Sequence, residues 1–215
     1  PSVTPETLPI LYRDERLVVV DKPSGLLVHR SPIDRHETRF ALQLLRDQLG
    51  QRVYTIHRLD KGTSGVLAFG LNPDTAREYS AIFAQRSVVK TYVALVRGWP
   101  AVEGSIDRPL AAVEDEHIGP QSAEPRESHT AFRRIATFEL PLRVDRYPTS
   151  RYALVELTPH TGRRHQLRRH LAGESHPIVG DSTYGKGRHN RLFREQFGVQ
   201  RLLLACTRLE FTPPV

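Results

Sequence analysis

The apolar residues of this chain fall mostly into short runs, and the order of those runs limits the fold more than any other feature. Residues 10–12 and 17–20 read as two short strands, and residues 53–56, 66–69, 88–96, 129–138, 151–158 and 202–211 read as further strands. Helical spacing appears in only a few places. Phe40, Leu42, Leu44, Leu45 and Leu49 recur along one helix, with Gly50 placed to stop it. Asn72 and Pro73 supply an N-cap and a first helical residue for a helix running to about Arg86. Shorter helices are predicted over 163–171 and 191–197. Strands and helices do not alternate strictly, which argues against a parallel doubly wound sheet. The expected fold is mixed α+β, with a largely antiparallel central sheet flanked by helices and loops.

Composition enters through charge. The 215 residues hold 31 Lys or Arg against 24 Asp or Glu, a net charge of +7. The stretch from Arg151 to Val215 carries 11 bases and 5 acids and so accounts for +6, leaving +1 for residues 1–150. A basic surface built from the C-terminal third would attract a polyanion such as nucleic acid. Composition alone does not separate RNA from DNA or from an anionic membrane, and an ordinary solvated basic face fits equally well. Residues 111–128 turn acidic, with Glu114-Asp115-Glu116, and read as a solvated loop. The single cysteine allows no intrachain disulfide, and no apolar run nears the ~20 residues of a membrane span. No signal-peptide pattern is present, so a cytoplasmic protein without membrane association is expected. The chain starts with Pro and contains no Met, as after a trimmed beginning.

Two segments could carry chemistry. In His57-Arg58-Leu59-Asp60-Lys61-Gly62-Thr63-Ser64-Gly65 an aspartate follows a strand and enters a tight turn, where its carboxylate could face a cleft; a plain Asx turn with hydroxyl caps explains the same residues. In Thr161-Gly162-Arg163-Arg164-His165-Gln166-Leu167-Arg168-Arg169-His170 four arginines crowd one short helix and need something negative nearby. Arg163, Arg164 and Arg169 on phosphates would make a nucleic-acid face, while Arg168, beside Leu167, could turn inward to a buried partner such as Asp60. A solvated basic helix is the alternative. His165, His170 and His176 lack ligands at zinc-like spacing, Ser64 lacks the nucleophile-elbow glycine, Cys206 reads as a small core residue, and no phosphate-cradling glycine loop occurs. No metal and no cofactor are expected.

Together the segments resemble the RluA-type pseudouridine synthases. The resemblance rests on Asp21-Lys22-Pro23-Ser24-Gly25-Leu26-Leu27-Val28-His29, His57-Arg58-Leu59-Asp60 with Thr63-Ser64-Gly65, and Lys90 with Tyr92 before Val96-Arg97-Gly98. It continues through Thr161-Gly162-Arg163, His165-Gln166-Leu167-Arg168, His176-Pro177-Ile178, Gly180-Asp181 and Tyr184-Gly185, in the family's order and over nearly the whole chain. The resemblance implies isomerisation of a uridine in RNA without a cofactor. Asp60 matches the essential carboxylate, acting either as nucleophile at C1′ or as general base at C2′. Tyr92, otherwise a core aromatic in a strand, matches the tyrosine that stacks on the uracil. Arg168 matches the arginine paired with the aspartate, and Arg58 matches the residue that fills the space of the extruded base.

Within the family, the tRNA-acting branch is the more similar, through Leu27-Val28-His29-Arg30-Ser31 with Asp34-Arg35, and through Arg146-Tyr147-Pro148-Thr149 with Arg151-Tyr152. Arg168-Arg169-His170-Leu171 and Gly198 with Gln200-Arg201-Leu202 add to it. It implies the T-stem uridine at tRNA position 65 as target; a ribosomal RNA synthase and a catalytically idle RNA binder are the alternatives. One catalytic domain over residues 1–215 is expected, with no S4 module and no obligate protein partner, and with a truncated or degenerate end after Phe211.

Overall fold

A computed structural model describes residues 6–30, 36–113 and 124–214. The acidic triplet Glu114-Asp115-Glu116 and the motif positions Ser31, Asp34 and Arg35 lie outside the described residues. The fold is mixed α+β with a largely antiparallel sheet, and the chain divides into two compact units, Pro1–Val89 with Leu209–Val215, and Lys90–Arg208.

In the first unit, β1 (Ile10–Arg13), β2 (Leu17–Lys22) and β4 (Ser64–Gly70) pair antiparallel in that order, and the two-residue β3 (Tyr54–Thr55) also pairs with β4. Helices α1 (Ala41–Leu49) and α2 (Pro73–Ala84) accompany them. Both helix boundaries have local causes. Gly50 ends α1 in the left-handed conformation at φ 66°, which a residue without Cβ adopts at no steric cost. The Asn72 side chain accepts from the Thr75 N–H at 2.8 Å to start α2, with Pro73 at the first position. α2 stops two residues short of the expected Arg86, which itself turns left-handed at φ 60°. A Cβ at Gly70 would lie 2.8 Å from the Ala76 nitrogen, so glycine there lets α2 approach the end of β4. Leu17, Ile56, Ala68, Ala76 and Tyr79 form the core of this unit, with Phe211 packed against it.

The second unit contains β5 (Val89–Arg97), β6 (Glu103–Asp107), β7 (His129–Leu140), β8 (Ser150–Pro159), α3 (Gln166–Gly173), α4 (Gly187–Phe197) and most of β9 (Leu204–Glu210). The strand order is β9-β5-β8-β7-β6, and β5 with β8, β8 with β7, and β7 with β6 are antiparallel. β6 was not expected; its backbone pairs with β7 although only Ile106 of its five residues is buried. α3 begins at Gln166 rather than at residue 163, and α4 begins at Gly187 rather than at residue 191. Ala94 and Val96 of β5, Ala153, Val155 and Leu157 of β8, and Leu167 and Leu171 of α3 meet in one core. Each buried Val or Leu contributes roughly 1.5–3 kcal/mol, so α3 is fixed against the strands that carry Tyr92. Among the described residues no helix is long and apolar enough to cross a membrane.

Candidate active site

In the first unit the loop after β2 is bound to the turn that bears Asp60. The Thr63 N–H donates to the Asp60 carbonyl at 3.0 Å, closing the turn. Lys22 is fully buried, a costly position for an ammonium unless its protons are hydrogen-bonded. Its Nζ donates to the carbonyls of Pro23, Leu26 and Lys61 at 2.9, 2.6 and 3.2 Å. The Gly25 N–H also reaches the Lys61 carbonyl at 2.7 Å, and Ser24 Oγ donates to the Gly62 carbonyl at 2.6 Å. Residues 22–25 therefore act as a brace for residues 60–63. Leu59 is buried, Arg58 is exposed and Asp60 is half-buried, so the carboxylate sits at the edge of the packed turn. His57 is held from behind: its Nε2 accepts from the Ala68 N–H at 3.1 Å, and its ring stacks on Phe83 at 4.4 Å.

In the second unit Tyr92 is half-buried on β5, opposite Leu157 of β8. Its hydroxyl and the Lys90 ammonium both lie beside Cys206. Burial pushes the Lys90 ammonium below its ordinary range and pushes the Cys206 thiol up to about 11, and the surrounding hydrogen bonds and the Lys90 charge offset only part of the latter. A Cβ at Gly162 would lie 3.8 Å from Lys90 Nζ, so the Thr161-Gly162-Arg163 segment passes the same place. Cys206, 1% exposed, is a core residue with an unreactive thiol. Iodoacetamide at pH 8 is expected to leave it largely unlabelled in the native protein and to label it fully in denaturant, read by intact mass; rapid native labelling would contradict this burial.

Arg168 is turned inward, 9% exposed, and its buried partner is Asp181. Nε and Nη2 donate to the two carboxylate oxygens, each at 2.8 Å, in the fork geometry that suits a guanidinium. The guanidinium also lies 5.1 Å over the Tyr184 ring, whose hydroxyl is 3.0 Å from His165 Nδ1. Burial raises the Asp181 carboxyl, but Arg168 and the N–H groups of Tyr184 and Thr183 outweigh it and hold the group below the usual carboxylate range. Asp181, 13 residues from Arg168, was not named as a partner in the sequence, where Asp60 was given as an example of one.

The later start of α3 corrects the picture of four arginines on one helix. Arg163 and Arg164 precede it, and only Arg168 and Arg169 lie on it. The buried Gln166 side chain fixes this entry. Its Oε1 accepts from Thr161 Oγ1 and the Arg163 N–H, and its Nε2 donates to the His129 carbonyl and Thr130 Oγ1. Arg163 Nε donates to the Glu127 carbonyl at 3.1 Å, and Arg169 Nη1 to the Ala111 carbonyl at 2.9 Å. His170 is fully buried between Thr130 Oγ1 and the Arg108 carbonyl, and burial pushes its imidazole toward the neutral form. His176 is bound to the Arg97 carbonyl at 2.8 Å. Among the described residues no three His, Cys, Asp or Glu side chains group to hold a metal.

Comparison with known proteins identifies the family. The RNA pseudouridylate synthase family matches residues 16–173. A protein of Vibrio vulnificus named tRNA pseudouridine synthase C is 49% identical over 210 residues, 96% of this chain and 86% of its own. Its namesake from Pasteurella multocida is 50% identical over 212 residues, 97% and 87% of the two chains. Among solved structures, human RNA Pseudouridylate Synthase Domain Containing 1 superposes with a TM-score of 0.75 at 28% identity, over 99% of this chain and 82% of that one. A family match over most of the chain, joined to half-identical relatives over nearly all of it, gives one outcome: this chain belongs to the RluA-type RNA pseudouridylate synthase family of isomerases.

Proposed function

We propose that the protein converts a uridine of tRNA to pseudouridine, at position 65 of the T stem, with Asp60 as the catalytic carboxylate. The observation that carries this reading is the braced Asp60 turn, in which a buried ammonium and a serine hydroxyl hold the backbone around one half-buried carboxylate. Such a turn fixes an anion that must meet a sugar carbon at close range, whether as nucleophile at C1′ or as base at C2′. The names of the half-identical relatives support tRNA as the substrate.

Tyr92 stacks on the uracil while it is detached, turned and rejoined through C5. Arg168, oriented by Asp181, takes the part of the arginine that the family pairs with its catalytic aspartate. A stem uridine must leave its stack first, at a cost of a few kcal/mol. Arg58, exposed two residues before Asp60, occupies the vacated space. Phosphate contacts from the basic C-terminal third, among them Arg163, Arg164 and Arg169, offset the cost of extrusion. The two units serve one catalytic domain, and the chemistry calls for no cofactor, metal or protein partner.

Mapping pseudouridines in tRNA and ribosomal RNA from cells with and without the gene tests the reading. The expected result is loss of one tRNA pseudouridine, at position 65. Loss confined to ribosomal RNA would replace the substrate, and no loss anywhere would leave an idle RNA binder.

A further inference from the structure

We propose that a cavity at the end of β5 and β8 remote from Tyr92 binds a second segment of the tRNA, taking backbone phosphates outside the T arm that carries the isomerised uridine. This rests on tRNA being the substrate. The cavity has a volume of about 900 Å³ and lies wholly in the second unit. Tyr92 and Arg97 are five residues apart on β5, about 17 Å at the rise of a strand and on its opposite faces, so one RNA molecule reaching both places would do so with different nucleotides.

The lining is built for an anion. Arg97, Arg146, Arg151 and Arg188 line it, Asp145 is the one carboxylate among the lining residues, and Arg151 is paired with Glu139 outside the lining at 3.3 Å. The inner wall is fixed: Arg97 Nε donates to His189 Nε2 at 3.1 Å, His189 Nδ1 lies 2.7 Å from the Tyr152 hydroxyl, and His176 Nδ1 bonds the Arg97 carbonyl. Burial first, and the Arg97 charge second, push His189 toward the neutral form, so it adds no positive charge to the wall. The mouth is open. The Arg188 side chain is 77% exposed and bonds Asp145 at 3.1 Å, which answers that carboxylate locally.

RNA is favoured over a small anion by the aromatic groups at the rim. Tyr147 is 59% exposed with the Arg146 guanidinium 4.7 Å over its ring, and Arg151 lies 4.3 Å over Trp99. Exposed rings and guanidinium planes beside phosphate-binding arginines are what unstacked bases and backbone engage together. Arg146, Tyr147 and Arg151, from motifs that mark the tRNA-acting branch in the sequence, contribute to this rim.

The test is direct binding of unmodified tRNA and of an isolated T-arm hairpin to wild type and to the doubly substituted Arg146→Ala/Arg188→Ala protein, across a salt series. The double variant is expected to bind tRNA about tenfold more weakly and the hairpin within about twofold, with the tRNA salt slope shallower by about 1–2. Arg146→Lys/Arg188→Lys restores the slope. Unchanged tRNA affinity, or an equal loss on both RNAs, overturns the proposal. Wild-type protein that binds tRNA but makes no pseudouridine counts against the proposed activity alone, so the two failures are told apart.

Discussion

Asp60→Asn is expected to lower pseudouridine formation on tRNA by at least about 10²–10⁴-fold, while affinity for tRNA and thermal stability change little. The substitution keeps the shape of the side chain and the main-chain bond from Thr63 to the residue 60 carbonyl. It also leaves in place the contacts of Lys22, Ser24 and Gly25 to the carbonyls of Lys61 and Gly62. What changes is the charge of the side chain. Attack on C1′ and proton removal from C2′ both draw on that charge, so either mechanism predicts the same collapse of turnover. The measurement is carbodiimide labelling with primer extension on a tRNA transcript, beside a binding titration of the same transcript. Turnover within about tenfold of wild type would remove Asp60 from the chemistry.

Much of the fold was legible because its punctuation is local. Gly50 and the Asn72-Pro73 pair stop and start helices through groups within four residues of each boundary. β6 was not legible, since Glu103–Asp107 has a single buried apolar residue and is held in place by β7, over twenty residues away in sequence. The start of α3 was misplaced for a related reason. Arg163 and Arg164 are good helix formers, but Thr161 and the Arg163 N–H are taken by the Gln166 side chain, which is itself anchored to His129 and Thr130.

The site divides in the same way. Asp60 and Arg168 were singled out from the residues and Tyr92 through the resemblance, each as an expectation, while the structural parts of Lys22 and Asp181 were not anticipated. A lysine in a Pro-Ser-Gly loop reads as solvated, and its burial depends on a carbonyl 39 residues away. A carboxylate after glycine gives no sign that a guanidinium will fold onto it.

That guanidinium makes Asp181→Asn the second large effect. Asp181 is 2% exposed and Arg168 9%, so the variant takes the anionic fork away from a buried cation, and breaking a buried pair in this way costs roughly 3–5 kcal/mol. Asparagine can still accept from the Thr183 or Tyr184 N–H, now at 2.9 and 3.0 Å, but it cannot receive both arms of the Arg168 fork as an anion. The pH dependence fixes the cause. The folded Asp181 carboxyl lies below its unfolded value, so its contribution to stability is complete above that unfolded value, near 3.9, and disappears as pH falls through the lower folded value. The gap in melting temperature between wild type and variant should therefore be flat from about pH 5 to 8 and narrow under acid. A gap that stays constant into acid would assign the loss to packing instead.

Arg168→Met combined with Asp181→Leu supplies the control, because replacing both charges leaves no buried guanidinium facing a neutral amide and should cost less than Asp181→Asn alone. At a temperature where Asp181→Asn remains folded, kcat on tRNA should still fall by about tenfold to a hundredfold, as expected when an oriented group is displaced by a fraction of an ångström to an ångström. Full kcat in a folded but destabilised variant would confine the Arg168–Asp181 pair to holding the fold.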